Sequence, residues 1–309
     1  MRLKHLESAL CSVPTQKFPS PNITLEQYAT SPLLTAHVII TALNNGDVGP
    51  GRSVLDLGCG TGMLTIGSAL VGSDSIIAFD CDENAIEIAR ENVEAMEIED
   101  YDEGDDEEDG TNGCKVEFIL GRVHHCMSKQ HTSERGQGRG RGGGRRGGRG
   151  PSRKKRNQQR SHFDDEEEAF HRRRGGLNDD DDDENNNEEG SSSTTSTQNK
   201  DGIPLASNCV DTVLTNPPFG TKHNAGIDVT FLKAAVRLAR HSVYSFHKSS
   251  TRPYLLKCMK EDNQVQDVQV VAQMKFDIPN TYKFHNKKSV DVDVDLIRIT
   301  IHPSSTDKT

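Results

Sequence analysis

The stretch that decides the predicted fold is Val54-Leu55-Asp56-Leu57-Gly58-Cys59-Gly60-Thr61-Gly62. Its apolar start predicts a buried strand, and the apolar residues 63–70 after it predict a helix. The glycines between them let the backbone approach a ligand closely, and the helix N-terminus adds free N–H groups. This order of elements predicts an α/β protein that binds a ligand at the turn.

The next predicted strand, residues 75–79, ends at Asp80, which is placed to accept hydrogen bonds from ribose hydroxyls. The third glycine of a G-x-G-x-x-G dinucleotide site would fall on Met63. No pyrophosphate cradle is evident, so the pattern favours a nucleoside cofactor without phosphates.

A second motif, Asn216-Pro217-Pro218-Phe219, follows an apolar run that also predicts a buried strand. The two prolines stiffen the backbone, so Asn216 is held at the carboxyl end of a strand, where open α/β sheets bind ligands. The Asn216 amide oxygen and the Pro217 carbonyl can each accept one N–H, which suits a flat amine with two hydrogens. Phe219 offers a face on which a ring can stack. The alternative is an ordinary turn between a strand and a helix.

Together the two motifs resemble those of the S-adenosylmethionine-dependent amino-methyltransferases. Four further segments, residues 25–30, 244–252, 282–285 and 287–291, resemble the methyltransferase-like protein 5 family of small-subunit ribosomal RNA adenosine methyltransferases. The resemblance covers nearly all of the chain outside two insertions. It implies N6-methylation of an adenosine in small-subunit (18S) ribosomal RNA, with S-adenosyl-L-methionine as the cofactor and ribosomal RNA as a partner.

The same resemblance implies a class I methyltransferase (Rossmann-like) fold, which is an α/β fold with a mostly parallel seven-stranded sheet and an antiparallel C-terminal hairpin strand. We expect residues 1–127 and 203–303 to form this domain, with a tail at 304–309. Apolar periodicity predicts helices at residues 35–43, 84–96 and 231–241, and strands at residues 116–120, 242–246, 268–275 and 290–301.

The predicted catalytic residues are Asn216, Pro217, Pro218 and Phe219. The predicted cofactor-binding residues are Gln27, Thr30, Asp56, Gly58, Gly60, Thr61, Met63 and Asp80. Gln27 and Thr30 enter by resemblance, which implies that residues 25–30 lie over the cofactor; the alternative is a capping loop. The family usually places an acidic residue just after the third strand, facing the adenine amine of the cofactor. This chain has Arg122 there, and an Arg side chain has only donors.

Contacts with the RNA substrate are predicted in residues 277–289, between the last two strands. Basic side chains interleaved with aromatic ones suit phosphates and unstacked bases. The candidates are Lys283, Phe284, His285, Lys287 and Lys288. His247 is a further candidate for a phosphate contact, although a structural role is equally expected for it. The alternative for the whole segment is a hairpin tip with a solvated run of charge.

Two insertions account for most of the formal net charge of −10. The first, residues 97–113, is acidic. The second, residues 128–202, is of low complexity and predicts disorder, because its composition buries too little apolar surface. Its Arg-Gly tract at 139–150 suits single-stranded RNA, whereas the acidic runs beside it can mask the arginines, and a solvated insertion without a dedicated partner is the alternative.

The seven cysteines include no Cys-x-x-Cys pair, so no zinc or other metal site is predicted. Free thiols indicate a reducing compartment, and we expect the nucleus (nucleolus), the cytoplasm or both. The sequence has no apolar run of membrane length, so no membrane partner is expected.

The resemblance further implies a heterodimer with a small zinc-binding methyltransferase activator subunit. We expect it to dock on the third strand, residues 116–120, because this fold places that strand at the sheet edge and an exposed edge invites pairing. The alternative is that the insertions cover this edge. Two other functions stay open: methylation of a protein glutamine amide through a similar Asn-Pro-Pro-aromatic motif, and RNA binding by a relic methyltransferase core.

Overall fold

The computed structural model describes residues 1–98, 114–124, 201–220, 224–279 and 289–303. Within these residues the helices are α1 (Leu3–Cys11), α2 (Pro32–Asn44), α3 (Met63–Leu70), α4 (Glu83–Ala95), α5 (Ile227–Leu238) and α6 (Arg252–Lys260). The strands are β1 (Ser53–Leu57), β2 (Ser75–Asp80), β3 (Lys115–Leu120), β4 (Val210–Thr215), β5 (Ala239–Lys248), β6 (Val265–Pro279) and β7 (Ser289–Ile301). None of these described helices is long and apolar enough to cross a membrane.

The strands form a seven-stranded sheet in the order β3-β2-β1-β4-β5-β7-β6. The first five are parallel to their neighbours, and β7 runs antiparallel between β5 and β6. This confirms the predicted, mostly parallel sheet with its antiparallel C-terminal hairpin, and it places β3 at the edge. The chain order reverses between β1 and β4, and open sheets bind ligands at the carboxyl ends of the strands at such a point.

Apolar side chains cover both faces of the sheet, because successive strand residues point to opposite faces. Val54 and Ile76 pack on the face covered by α1, α2 and α3. Leu55 and Leu57 pack on the opposite face, with α5 and α6. A strand buried on both faces is apolar along its length, which is why β1 has no simple alternation of apolar and polar residues.

Capping residues fix the N-termini of two helices, α2 and α4. Ser31 caps α2 by accepting a hydrogen bond from the Leu34 N–H (3.4 Å), and Pro32 follows at the first helical position. Asp82 caps α4 through the Asn84 N–H (3.2 Å). The capped helices therefore begin at fixed residues beside the strand ends.

Some boundaries differ from the sequence-based predictions. The helix predicted at residues 231–241 is α5, which begins at Ile227 and ends at Leu238. Residues 239–241 instead begin β5, whose Ala239 pairs with Val210 of β4. The predicted loop at 277–289 is shorter, since β6 runs to Pro279 and β7 starts at Ser289. The sequence predicts no helix where α6 lies.

The residues that flank 125–200 lie next to each other. The His124 N–H donates to the Asp201 carbonyl (2.7 Å). Asp201 also forms a largely buried ion pair with Arg237 of α5, with 2.6 Å between Oδ2 and Nε. The connection from β3 to β4 therefore leaves and returns at neighbouring residues.

Candidate functional site

A pocket lies at the carboxyl ends of the parallel strands, where the chain order reverses. Its walls come from the N-terminal residues, the turn after β1, the ends of β2 and β3, the residues after β4 and the start of α5. The rings of Phe18, Tyr28, Phe79 and Phe231 line it together with a few polar groups. Such a concave, mostly apolar site is typical of small-molecule binding.

The glycine turn after β1 gives the pocket a wall of bare backbone. Gly58 and Gly60 have φ angles of 81° and 55°, in the left-handed region that glycine adopts without strain. A Cβ on Gly58 would lie 3.3 Å from the Phe231 ring, and one on Gly60 would lie 3.3 Å from the Phe18 ring. The two glycines therefore keep open a space that side chains would fill.

Asp80 lines the pocket at the end of β2 and also holds the glycine turn in place. Its Oδ2 accepts a hydrogen bond from the Gly60 N–H (2.9 Å), and its Oδ1 accepts one from the Asp82 N–H (3.0 Å). A carboxylate has about four acceptor positions, so further ones remain for a ligand. Burial raises the pKa of the Asp80 carboxyl, and these hydrogen bonds oppose the rise.

Asp56, Thr61 and Met63, which were expected to contact a cofactor, lie behind the pocket wall. Asp56 is fully buried, and its Oδ2 accepts hydrogen bonds from the Thr65 N–H (3.0 Å) and hydroxyl (2.7 Å). Burial raises the pKa of Asp56 to about 7. Thr61 and Met63 are also buried and are not among the residues that line the pocket. Asp56 therefore holds the first turn of α3 from the core, and the cofactor roles of Asp56, Thr61 and Met63 stay predictions.

The N-terminal segment, residues 22–30, forms one side of the pocket. Gln27 lines it, and the Gln27 Nε2 donates to Asp82 Oδ2 (2.5 Å). Asn224, just before α5, donates from its Nδ2 to the Thr24 carbonyl (2.8 Å) and to Glu26 Oε1 (3.2 Å). These contacts fix the segment between the end of β2 and the start of α5, a position that suits the expected cover over a cofactor.

Asn216 lines the pocket directly after β4, and its amide has one occupied end and one open end. Its Nδ2 donates to Thr30 Oγ1 (3.0 Å). Its Oδ1 is buried and has no hydrogen-bond partner among the described residues. Leaving a buried acceptor unpaired costs about 1–3 kcal/mol. The open Oδ1 therefore indicates a donor that arrives with a ligand.

Phe219 lies in the core, in contrast to the open stacking face that the sequence suggests. It is 4% exposed, stacks on Tyr28 (6.3 Å between centroids, 20° between planes) and meets Phe276 edge-on (5.7 Å). Tyr28 and Pro218 line the pocket, whereas Phe219 and Pro217 do not. Phe219 thus supports the Tyr28 ring, and of these two stacked rings Tyr28 is the one that lines the pocket.

Arg122 follows β3, is exposed and is among the residues that line the pocket, at the sequence position where the family resemblance implies an acid. Burial raises the pKa of the Cys81 thiol, and the positive charge of Arg122 opposes that rise. Because a guanidinium only donates hydrogen bonds, the Arg122 side chain cannot supply the acceptor that the resemblance implies there.

Two other groups of predicted residues have different outcomes. His247 is fully buried, and its Nε2 lies 2.8 Å from Ser245 Oγ, so it is not exposed to a phosphate. The five candidates for RNA contact, residues 283–285, 287 and 288, fall outside the described residues. No cluster of three or more His, Cys, Asp or Glu side chains that could hold a metal ion occurs in the described part of the chain.

Comparison with known proteins identifies the family. The Danio rerio protein rRNA N(6)-adenosine-methyltransferase METTL5 is 32% identical over 97% of this chain and 99% of its own length. The Drosophila melanogaster protein rRNA N(6)-adenosine-methyltransferase Mettl5 is 30% identical over 97% of both chains. This chain belongs to the METTL5 family of methyltransferases.

A family model and a solved structure extend the comparison. The ribosomal protein L11 methyltransferase (PrmA) model matches residues 33–120, from α2 to β3. The crystal structure of the Pyrococcus horikoshii protein PH1948 covers 97% of this chain and 98% of its own, with a TM-score of 0.55 and 23% identity, which supports the fold. The PrmA match includes Gly58 and Asp80 and ends before Asn216, so it covers only a part of the pocket of this METTL5-family chain.

Several residues of this METTL5-family pocket are missing from the sequence-based list. Tyr28 lies within residues 25–30, and the resemblance of that segment to the family is the signal that could have found it. Phe18, Asn224 and Phe231 belong to no motif that the sequence singles out. They reach the pocket only because the fold brings the N-terminal residues and the start of α5 to the strand ends.

Proposed function

We propose that this chain transfers a methyl group from S-adenosyl-L-methionine to N6 of an adenosine in small-subunit (18S) ribosomal RNA. Relatives that match nearly its full length are named for rRNA N6-adenosine methylation. The observation that carries the proposal is the buried, unpartnered Asn216 Oδ1, which shares a pocket with the bare backbone of Gly58 and Gly60. An amine that is to be methylated needs such an acceptor beside the space in which the methyl donor binds.

The described residues fit the methyl donor. Gly58 and Gly60 leave its space free, and Asp80 has acceptor positions left for ribose hydroxyls. Gln27 and Glu26 face the same pocket from the N-terminal segment. When bound, S-adenosyl-L-methionine supplies an electrophilic methyl group, and the chain supplies the pocket that excludes water around it.

Asn216 acts on the target amine. An aromatic amine is a poor nucleophile because its lone pair is delocalised into the ring. A hydrogen bond from one of its hydrogens to Asn216 Oδ1 favours a pyramidal nitrogen with a localised lone pair. The Pro217 carbonyl, the second acceptor that the sequence predicts, belongs to a residue that does not line the described pocket. The nitrogen releases one proton to water after it has accepted the methyl group. Alignment of the reactants in one pocket can lower the activation free energy by about 7–11 kcal/mol.

Tyr28 is the ring that we propose holds the target base. It lines the pocket together with Asn216, and Phe219 packs behind it. Enzymes that modify a base take it out of its stack and hold it against aromatic side chains. The basic residues at 283–288 remain proposed contacts for the surrounding RNA backbone.

We also propose that the small zinc-binding activator subunit adds a strand beside β3. This strand is outermost on its side of the described sheet and ends at Leu120, whose side chain is 56% exposed. Edge strands of this kind are sites at which a second chain can extend a sheet. If residues 97–113 or 128–202 cover this edge instead, the chain should be a self-sufficient monomer.

The competing substrate is a protein glutamine amide, whose NH2 group also fits two acceptors. The PrmA match does not favour it, because that match ends at residue 120 and leaves out the acceptor motif. The relatives that match over 97% of the chain are named for rRNA N6-adenosine methylation.

The proposal is tested with the purified chain, alone and with the activator, and with radiolabelled S-adenosyl-L-methionine. Ribosomal RNA and ribosomal proteins are offered together as methyl acceptors. We expect label in RNA that is recovered as N6-methyladenosine after nuclease digestion. Label confined to protein would support the glutamine alternative. A chain that binds no donor in calorimetry would instead be a relic RNA-binding protein.

A further inference from the structure

Residues 22–27 form one side of the pocket, and little apolar burial holds them there. None of the three residues in the short 3₁₀ helix Ile23–Leu25 is buried, and Ile23 is 51% exposed. Glu26 follows with a φ of 51°, in the left-handed region that a residue with a Cβ adopts at a cost in strain. A segment with so few buried apolar contacts opens easily unless polar contacts hold it.

Asn224 supplies such contacts from the residues that precede α5. Its Nδ2 donates to the Thr24 carbonyl (2.8 Å) and to Glu26 Oε1 (3.2 Å). A backbone carbonyl and an ionised carboxylate can only accept, so the two partners hold the amide in one orientation, with its N–H groups toward the segment. All three residues line the pocket.

Asn224 is itself held in place by its backbone. Its carbonyl accepts a hydrogen bond from the Ile227 N–H (2.9 Å) at the first turn of α5, and Ile227 lines the pocket. A Cβ on Gly220, directly after the Asn-Pro-Pro-Phe motif, would lie 3.2 Å from the same carbonyl oxygen. Asn224 therefore lies where the end of the motif, the start of α5 and the N-terminal segment meet.

We propose that Asn224 is a positioning residue that holds residues 24–26 over the bound methyl donor, a role that rests on the function proposed above. Without its amide, the segment spends less time in place, and the apparent donor affinity falls with the fraction of molecules in which it is in place. The donor also leaves faster, because movement of the segment opens the pocket. The reaction at Asn216 is not altered once the donor is bound.

The first test measures donor binding to the full chain by calorimetry and the release of radiolabelled S-adenosyl-L-methionine by filter binding. We expect Asn224→Ala to bind the donor about tenfold more weakly, since it loses a hydrogen bond to a charged group, and to release it faster by a similar factor. KM for the donor should rise, whereas kcat at saturating donor should not fall. Unchanged donor affinity, or a fall in kcat alone, would overturn the inference.

Asn45→Ala is the matched control. The Asn45 Nδ2 also donates to a backbone carbonyl, that of Thr41 (2.9 Å), and to a side-chain oxygen, Tyr244 Oη (2.9 Å). Asn45 directly follows α2 and is not among the residues that line the pocket. Because this variant loses the same kind of contacts, it should lose similar stability and keep its donor affinity. An equal loss of affinity in both variants would show a general effect of destabilisation and would overturn the inference.

A double-variant cycle tests the contact with Glu26. Asn224→Asp replaces the N–H donors with a carboxylate that repels both Glu26 and the Thr24 carbonyl, so it should lower donor affinity more than Asn224→Ala does. Glu26→Gln provides an N–H for that carboxylate. In the Glu26→Gln background, Asn224→Asp should therefore cost less affinity than in the unaltered chain. Equal costs in the two backgrounds would overturn the inference.

The same calorimetry separates this inference from the proposed function. An unaltered chain that binds no S-adenosyl-L-methionine would overturn the proposed function, and the inference with it. An unaltered chain that binds the donor only as well as Asn224→Ala does would overturn the inference alone. Melting without donor checks that each variant is folded, and if Asn224→Ala is unfolded the cycle with Glu26 decides the question.

Discussion

At the scale of single residues, the pocket depends on atoms that are absent or unpaired. Gly58 and Gly60 contribute space because they lack a Cβ, and Asn216 contributes an acceptor because its Oδ1 has no partner in the described residues. Each feature lowers the stability of the free protein and becomes favourable only when a ligand binds. Substitutions at these residues should therefore separate binding from stability.

Gly58→Ala should weaken donor binding. Alanine at φ 81° is strained, and its Cβ would approach the Phe231 ring to 3.3 Å inside the pocket. Gly46 is the matched control, since it has a φ of 72° and nothing within 4 Å of an added Cβ. Both variants should lose about 1–2 kcal/mol of stability through backbone strain. Only Gly58→Ala should also lose roughly tenfold in S-adenosyl-L-methionine affinity. Equal affinities in calorimetry would refute a donor site at the glycine turn.

Asp56 should make stability depend on pH. Burial raises its pKa from 3.8 to about 7, so between these values the folded protein holds a proton that the unfolded chain releases. The free energy of unfolding should fall as pH rises through this window, by at most about 1.4 kcal/mol per pH unit, and level off above it. Asp56→Asn keeps an acceptor for Thr65 but does not titrate, so its denaturant midpoint should vary less between pH 4 and pH 7. The same pH dependence in both proteins would contradict the buried, proton-binding carboxyl.

At the scale of elements, local patterns predict the strands and the glycine turn well. β1, the turn and α3 follow one another directly in the sequence, so the residue types within residues 53–70 are enough to predict them. The burial of Phe219 could not be foreseen, because it depends on Tyr28 and Phe276, which are distant in sequence and meet it only in the folded sheet. The same holds for the start of β5, where pairing with β4 overrides the apolar periodicity of a helix.

Leu120→Lys should weaken the complex with the activator subunit. The side chain of Leu120 is 56% exposed at the end of the edge strand β3, so the change should leave the fold intact. Leu33→Lys is the control, because Leu33 is 47% exposed on α2 and away from that strand. We expect about a tenfold weaker complex for Leu120→Lys alone when pull-down or calorimetry measures the affinity. Equal affinity in both variants would argue that the partner docks elsewhere.

At the scale of the whole molecule, the described fold is interrupted between residues 124 and 201. The backbone contact between His124 and Asp201 (2.7 Å) closes that connection on the described side. The sequence predicts disorder for residues 128–202, because their composition buries too little apolar surface to form a core. Such a segment has no apolar periodicity from which helices or strands could be predicted. The methyltransferase core is predicted far better, because burial constrains its sequence on both faces of the sheet.

Replacing residues 128–199 with a short Gly/Ser linker should leave a folded and active core. This deletion keeps Asp201 and its ion pair with Arg237, so the return to β4 stays anchored. We expect a melting temperature within about 4 °C of the full chain, and methyl transfer should persist. A weaker, less salt-dependent affinity for RNA would assign a binding role to the Arg-Gly tract. A lost melting transition would show that the segment belongs to the core.

The most direct measurement is the N6-methyladenosine content of small-subunit ribosomal RNA, read by mass spectrometry in cells that lack this protein. The cells are complemented with the unaltered chain or with Asn216→Ala, which removes the open acceptor and leaves the glycine turn untouched. We predict that the modification disappears, that the unaltered chain restores it, and that Asn216→Ala does not, although the variant still binds S-adenosyl-L-methionine within a few-fold of normal. Unchanged methylation in the deleted cells, or full restoration by Asn216→Ala, would contradict the assignment.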